Sequence, residues 1–251
     1  MEPILVVDNL VKRFGGLTAV NRVSLEVYPH EVLGLVGDNG AGKSTLIKMI
    51  SGVYRPDDGR IVFAGQNMEV GSPMEARDRG IETIYQDLAL AENLDVGSNI
   101  FLGREPVQPV LAGLVSVLDR RYMHVESKKV LDRLDIHIPN LNVQIRNLSG
   151  GQRQAVAIAR AIYWDAKLMI MDEPTAALGV TEQRKVLSLV KTLRDQGVPV
   201  IIISHNMQDV FAVADRIVVM RRGIKAGECL AKESTVDEIV SLMVGAETVE
   251  K

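Results

Sequence analysis

The chain has 251 residues, a formal net charge of −3 and 47% hydrophobic residues. That length can bury one substantial core, or one core with a subdomain, and the lack of a basic excess argues against a dedicated nucleic-acid binder. The single Cys229 excludes an internal disulfide and fits a cytosolic setting, while no apolar stretch approaches membrane-spanning length and no signal peptide is expected before Leu5, so any membrane association is expected to come through a partner.

Along the chain, residues 4–7, 23–27 and 61–64 read as strands of an N-terminal β-rich layer. Val23-Ser24-Leu25-Glu26-Val27 alternates as a half-buried strand does. Residues 32–36 form an apolar run of the kind a buried strand shows. Gly37-Asp38-Asn39-Gly40-Ala41-Gly42-Lys43-Ser44 follows at once and fits G-x-x-x-x-G-K-[ST]. Residues 45–50, beginning with Thr45, then read as a helix ended by Gly52. The glycines therefore fall where a strand turns into a helix N-terminus. Backbone N–H groups there converge, and the helix dipole favours an anion. This is a cradle for a nucleoside triphosphate, with Lys43 reaching the outer phosphates and the Ser44 hydroxyl ligating Mg²⁺.

Gln86 follows another apolar stretch, and its amide oxygen suits a place in the Mg²⁺ shell; alone it is a weak signal. Residues 88–147 lack a β pattern and read as helical, interrupted near Pro106 and Pro109. Ser149 suits an N-cap, and Gln152 onward reads as a helix with Ala155, Val156, Ile158, Ala159 and Ile162 as its apolar set. Leu168–Met171 reads as a strand ending in Asp172-Glu173. Asp172 would hold Mg²⁺ through water and Glu173 would act as general base. Without the phosphate loop upstream, the two acids would better suit the start of the next helix, with Pro174 preset for an early helical position; with that loop, the Mg²⁺ and general-base reading is preferred.

Residues 181–196 read as a helix stopped by Gly197. Val200–Ile203 reads as a strand ending in Ser204-His205. Ligands bind at the carboxyl ends of strands in open α/β sheets, so His205 is a candidate contact to the γ-phosphate. Residues 216–223 suggest a strand and a turn. Thr235 and Glu238 have capping-box spacing, opening a last helix.

These motifs together resemble the nucleotide-binding subunit of an ABC transporter across essentially the whole chain. Residues 37–45 match its Walker A loop, Gln86 its glutamine loop, residues 148–152 its signature, residues 168–173 its Walker B strand and His205 its switch histidine. Phe14 matches the aromatic that stacks on adenine, with the modest base selectivity stacking provides. The resemblance implies an α/β fold: a P-loop NTPase core of RecA-like type with a mostly parallel sheet, an N-terminal antiparallel β-layer and an inserted α-helical subdomain. It implies a single ABC ATPase domain, with about 1–87 and 165–251 as catalytic core and about 88–164 as helical subdomain. It also implies ATP and Mg²⁺ as cofactors and a homodimer that sandwiches two ATP. Each ATP would lie between one copy's residues 37–44 and the other's Ser149, Gly150, Gly151 and Gln152. Leu88, Leu90, Leu94, Val96, Ile100 and Phe101 either pack the subdomain core or line a groove for a coupling helix of a membrane permease.

Wording at 36–48, 84–90, 99–105 and 174–180 is similar to importers of the ribose/xylose/fructose type, in their single-domain branch. That implies an import ATPase on the cytoplasmic face of the membrane, acting on integral-membrane permease subunits and, through them, with a sugar-binding protein. A soluble ABC ATPase of an assembly system, such as iron–sulfur cluster delivery, would share every catalytic motif. Nucleic-acid-linked ABC proteins carry long insertions, coiled coils or two such domains, none of which these 251 residues show, so that class is not expected. Two departures stand out. Gly179 replaces the aspartate that usually bridges the protomers, and His30 stands where a glycine commonly makes a turn, so an unusual backbone is expected at His30.

Overall fold

A computed structural model describes residues 1–68, 71–110 and 115–245. Contacts divide the chain into two compact units. The first comprises Met1–Gln86, Lys167–Ala176 and the residues from Leu187 onward; the second comprises Asp87–Ala166 and Ala177–Val186.

The first unit opens with β1 (Leu5–Phe14) and β2 (Leu17–Val27), an antiparallel pair joined at Gly15-Gly16. Both strands run longer than the alternation predicts, because β1 is bulged. Its register shifts between Val7 and Leu10, where Asn9 takes a positive φ of 51° and donates its N–H to Ser24 Oγ at 2.8 Å. The bulge puts the neighbours Leu10 and Val11 both inside, which no period-two pattern can do. With β3 (Val32–Val36), α1 (Lys43–Ile50), β4 (Asp58–Phe63) and β5 (Gln66–Asn67), the N-terminal sheet is complete in the order β2-β1-β4-β5. Next come α2 (Pro73–Asp78) and β6 (Ile81–Ile84).

The second unit begins with α3 (Val96–Ile100), a hairpin of β7 (Val107–Val110) and β8 (Val115–Leu118), α4 (Arg120–Arg133) and α5 (Gly150–Tyr163). Trp164 packs edge to face with Phe101 and Tyr163, which are tilted against each other, and the indole N–H of Trp164 donates to the Ile100 carbonyl at 3.0 Å. Val96, Ile100 and Phe101 are core residues, whereas Leu88, Leu90 and Leu94 stay half-buried. The helical expectation for 88–147 holds for α3 and α4 but fails at the hairpin, where Pro109 pairs with Ser116. All of β8 is exposed, so there is no inside-outside alternation to reveal it. Pro109 is tolerated because each strand of a two-stranded ribbon is an edge. That expectation at 111–114 lies outside the described residues.

The chain continues through β9 (Leu168–Asp172), α6 (Val180–Asp195), β10 (Val200–Ile203), α7 (Met207–Val213), β11 (Arg216–Arg221), β12 (Ile224–Leu230) and α8 (Val236–Val244). The larger sheet of the first unit has the order β12-β11-β3-β10-β9-β6, parallel from β11 to β6, with β12 antiparallel at its edge. Every residue of β3 and β10 is buried, as strands covered on both faces must be. The core joins Leu33, Leu35, Ile170, Ile201 and Ile203 to Leu46, Ile47, Met49 and Ile50 of α1. Register aligns the strand ends: Ile203 lies opposite Leu35 on one side and Asp172 on the other, and Ile84 lies opposite Met171. The segments that follow these four strands therefore leave the sheet along one edge. Among the described residues, no helix is long and apolar enough to cross a membrane.

Candidate nucleotide site

Along that edge the first unit gathers residues 37–45, Gln86, Asp172, Glu173 and His205. The phosphate loop is built by close approach. Gly42 caps α1 at φ 101°, and a Cβ there would stand 2.5 Å from the Ala19 carbonyl oxygen, so only glycine fits. Gly42 provides no side-chain cap and the first turn of α1 holds no acid, which leaves its positive end to an outside anion. The turn after β11 braces the loop from behind: Gly223 N–H donates to the Ala41 carbonyl at 3.0 Å, and Asn21 N–H donates to the Gly223 carbonyl at 2.7 Å.

Lys43 curls over its own loop, its ammonium donating to the Gly37 carbonyl at 2.5 Å and the Asp38 carbonyl at 3.0 Å. Burial lowers its pKa, and the charges of Glu173 and Asp172 partly oppose that. A cleft of about 500 Å³ opens beside the loop, lined by Phe14, Leu17, Thr18, Ala19, residues 39–45, Arg222 and Gly223. Phe14 is exposed to 43%, so it is no core aromatic, and its ring is held edge-on to Tyr54 at 5.3 Å. Gln86 is exposed. Just before it, the Tyr85 hydroxyl hydrogen-bonds Ser51 Oγ at 3.0 Å.

The acids after β9 differ. Burial, and then the neighbouring Glu173 charge, push the Asp172 carboxyl up; Lys43 and Lys48 oppose this. A carboxylate in that position gains from a cation. Among the described residues no three acidic, histidine or cysteine side chains form a metal cage. A Mg²⁺ held by a carboxylate and substrate phosphates needs none, so Asp172 and the Ser44 hydroxyl suit that ion. Glu173 sits at φ 52°, where a non-glycine residue costs about 1–2 kcal/mol. Its N–H donates to the Ile203 carbonyl at 2.8 Å, and its carboxylate accepts from the His205 N–H at 3.0 Å and from Ser204 Oγ at 3.4 Å. His205 Nδ1 lies 2.8 Å from Glu173 Oε2. A carboxylate only accepts, so the proton belongs on Nδ1. The imidazole is 76% exposed, and Nε2 takes no part in that contact.

In the second unit, Ser149 caps α5. Its hydroxyl accepts from the Gln152 N–H at 3.3 Å, and Gln152 Oε1 accepts from the Ser149 N–H at 3.0 Å, which closes a capping box. A Cβ on Gly150 would stand 2.7 Å from Leu178. Here the structure adds Glu182. The Ser149 hydroxyl and the Gly151 and Gly179 N–H groups hold its carboxyl below the usual range, so a carboxylate already answers the positive end of α5. Its one sequence signal is an acid in the first turn of α6. Arg222 of the cleft was also missed, having no motif to mark it. A Cβ at Gly179 would meet nothing within 4 Å, so packing does not impose that glycine. His30 does take the left-handed backbone expected of it, at φ 59°.

Residues 20–176 match the family described as ABC transporter. The chain belongs to that family. This ABC cassette is an ATP-binding protein and an ATP hydrolase. It is 49% identical over 243 residues to the xylose/arabinose import ATP-binding protein of Sulfolobus acidocaldarius, covering 97% of this chain and 94% of that one. It is 48% identical over 247 residues to the fructose import ATP-binding protein of Rhizobium meliloti, covering 98% and 95%. Its fold matches the ADP conformation of an ATP-binding cassette of an ABC transporter, with a TM-score of 0.80 at 27% identity over 99% of this chain and 98% of that one. The resemblance drawn from the motifs is borne out for family and for fold.

Proposed function

We propose that this cassette is the ATP-hydrolysing subunit of a monosaccharide importer. It works as a homodimer on the cytoplasmic face of the membrane, coupled to integral-membrane permease subunits and through them to a sugar-binding protein. The observation that carries the reading is the collection of the phosphate loop, Asp172, Glu173 and His205 along one edge of a parallel sheet, in a chain whose near-full-length relatives are named for sugar import.

Gly37, Asp38, Asn39, Gly40, Ala41, Gly42, Lys43, Ser44 and Thr45 embrace the phosphates through their N–H groups and the Lys43 ammonium, and Phe14 stacks on adenine. Ser44, Gln86 and Asp172 hold Mg²⁺, which neutralises charge on the outer phosphates when bound. Glu173 takes a proton from water as the water oxygen attacks the γ-phosphorus. The bond from that phosphorus to the bridging oxygen breaks, and ADP and phosphate leave. His205 turns Nε2 toward the γ-phosphate. Residues 1–87 and 165–251 act as the catalytic core, and 88–164 as the helical subdomain. Ser149, Gly150, Gly151 and Gln152 meet the ATP held by the other copy, so closure follows the γ-phosphate and opening follows its loss. The half-buried Leu88, Leu90 and Leu94 form the groove for a permease helix.

Ser149→Arg tests the dimer. It should destabilise the protein by about 1 kcal/mol through the lost cap, keep nucleotide binding by the separate chain and abolish hydrolysis. Turnover that survives would remove the cross-protomer site. A mild-detergent pull-down from native membranes tests the transporter. Recovery of a multi-spanning permease is expected, and a sugar-binding protein beside it would support the subclass. Soluble partners alone would overturn the import reading and leave the ATP chemistry as it stands.

A further inference from the structure

The loops that carry Glu173 and His205 are joined by a hydrogen bond that no step above uses. Thr175 Oγ1 donates to Asp209 Oδ2 at 2.6 Å, and both residues are buried, at 3% and 7% exposure. Thr175 lies two residues after Glu173, and Asp209 lies four after His205 in the first turn of α7. We propose that Asp209, acting through Thr175, is a positioning residue that holds the Glu173 loop in its reactive shape; this rests on the assignment of Glu173 as general base.

The argument begins with the loop's backbone. Glu173 and Ala177 both take left-handed conformations, at φ 52° and 64°, so Glu173-Pro174-Thr175-Ala176 cannot keep its form from local preference alone. It needs anchors outside itself. One is the Glu173 N–H bond to the Ile203 carbonyl. The contacts of His205 and Ser204 are poorer anchors, because they fall on the carboxylate that must take up a proton in turnover. The Thr175–Asp209 bond does not fall on the Glu173 carboxylate, and both of its residues are buried, so it need not break when that carboxylate takes up a proton.

Its far end is equally well placed. Asn206 caps α7, its side chain accepting from the Gln208 N–H at 3.0 Å, and its own N–H donates to Ser204 Oγ at 3.0 Å. Asp209 is thus rigidly tied to the turn that presents His205. The helix dipole favours its negative charge in the first turn. One buried bond therefore fixes the base loop relative to the histidine loop. A carboxylate tilted off the attack line loses rate without losing affinity, because the phosphates are held elsewhere.

A purely structural role for the pair predicts lost stability with kcat intact. Thr175→Val keeps the shape and removes the donor. We expect kcat to fall on the order of tenfold or more while ATP affinity stays within about twofold, with Thr175→Ser recovering most of the rate. Wild-type turnover in Thr175→Val, equal impairment of the serine and valine variants, or affinity falling in step with rate would overturn the proposal. Should Thr175→Val not fold, the Asp209 variants decide: Asp209→Asn keeps an acceptor and should stay near wild-type kcat, whereas Asp209→Ala should lose it. Equal rates in those two would also overturn it. Glu173→Gln run in parallel separates the two claims. A stalled Glu173→Gln beside a normal Thr175→Val removes only the positioning role, whereas an active Glu173→Gln removes the base itself.

Discussion

Glu173→Gln is expected to bind ATP normally and to lose hydrolysis by about 10²–10⁴-fold, the span that a general base contributes. The substitution keeps the side chain's length and shape, removes its charge and exchanges one acceptor oxygen for a donor. The amide oxygen can still accept from the His205 N–H, as Oε1 does now at 3.0 Å, while the amide NH2 takes the place of Oε2 and donates where that oxygen accepts from Ser204 Oγ at 3.4 Å and faces His205 Nδ1 at 2.8 Å. The backbone bond from residue 173 to the Ile203 carbonyl is untouched. The glutamine cannot receive a proton from water, so attack on the γ-phosphorus stalls with ATP in place. On the proposed dependence of closure on the γ-phosphate, the variant should also accumulate as an ATP-bound dimer, seen by light scattering with ATP and lost with ADP. Single-turnover hydrolysis is the deciding measurement. An undiminished chemical step would remove Glu173 as the base, whatever the dimer does.

What could be read in advance follows how local each determinant is. The phosphate loop fixes four positions within eight, and its strand and helix come from runs beside it, so it is legible by itself. The caps at Ser149 and Thr235 are legible for the same reason, since each side chain bonds the N–H three residues on. The buried strands Val32–Val36 and Val200–Ile203 announce themselves as unbroken apolar runs. The failures are non-local. The β1 bulge depends on Ser24 of another strand, and Val115–Leu118 is exposed at every residue, so no buried face imposes a period there. Glu182 meets Ser149 from 33 positions away, and Asp209 meets Thr175 from 34. Folding brings such pairs together, and no window on the sequence contains both partners.

Lys43→Ala should weaken ATP binding by about a hundredfold or more, taking roughly 3 kcal/mol for the charge-assisted bonds that one ammonium gives two phosphates. In the free protein the ammonium is spent on the Gly37 and Asp38 carbonyls. Asp38 is exposed, so water can replace the lysine at its carbonyl, whereas Gly37 is buried and its carbonyl loses a partner, so a share of the loss should fall on folding and the rest on binding. Adenosine lacks phosphates and should bind both proteins alike, which separates the phosphate contact from a general collapse of the cleft. The lysine should also leave a pH signature. Burial lowers its pKa in the free protein, and bound phosphates favour its charged form and raise it again. ATP affinity should therefore decline as pH rises through the lowered value, earlier than for an ordinary lysine, and that decline should vanish in Lys43→Ala. Titration calorimetry with ATP and adenosine across the alkaline range reads both effects. Normal ATP affinity in the variant would remove the phosphate cradle, and an alkaline decline that persists would assign the titrating group elsewhere.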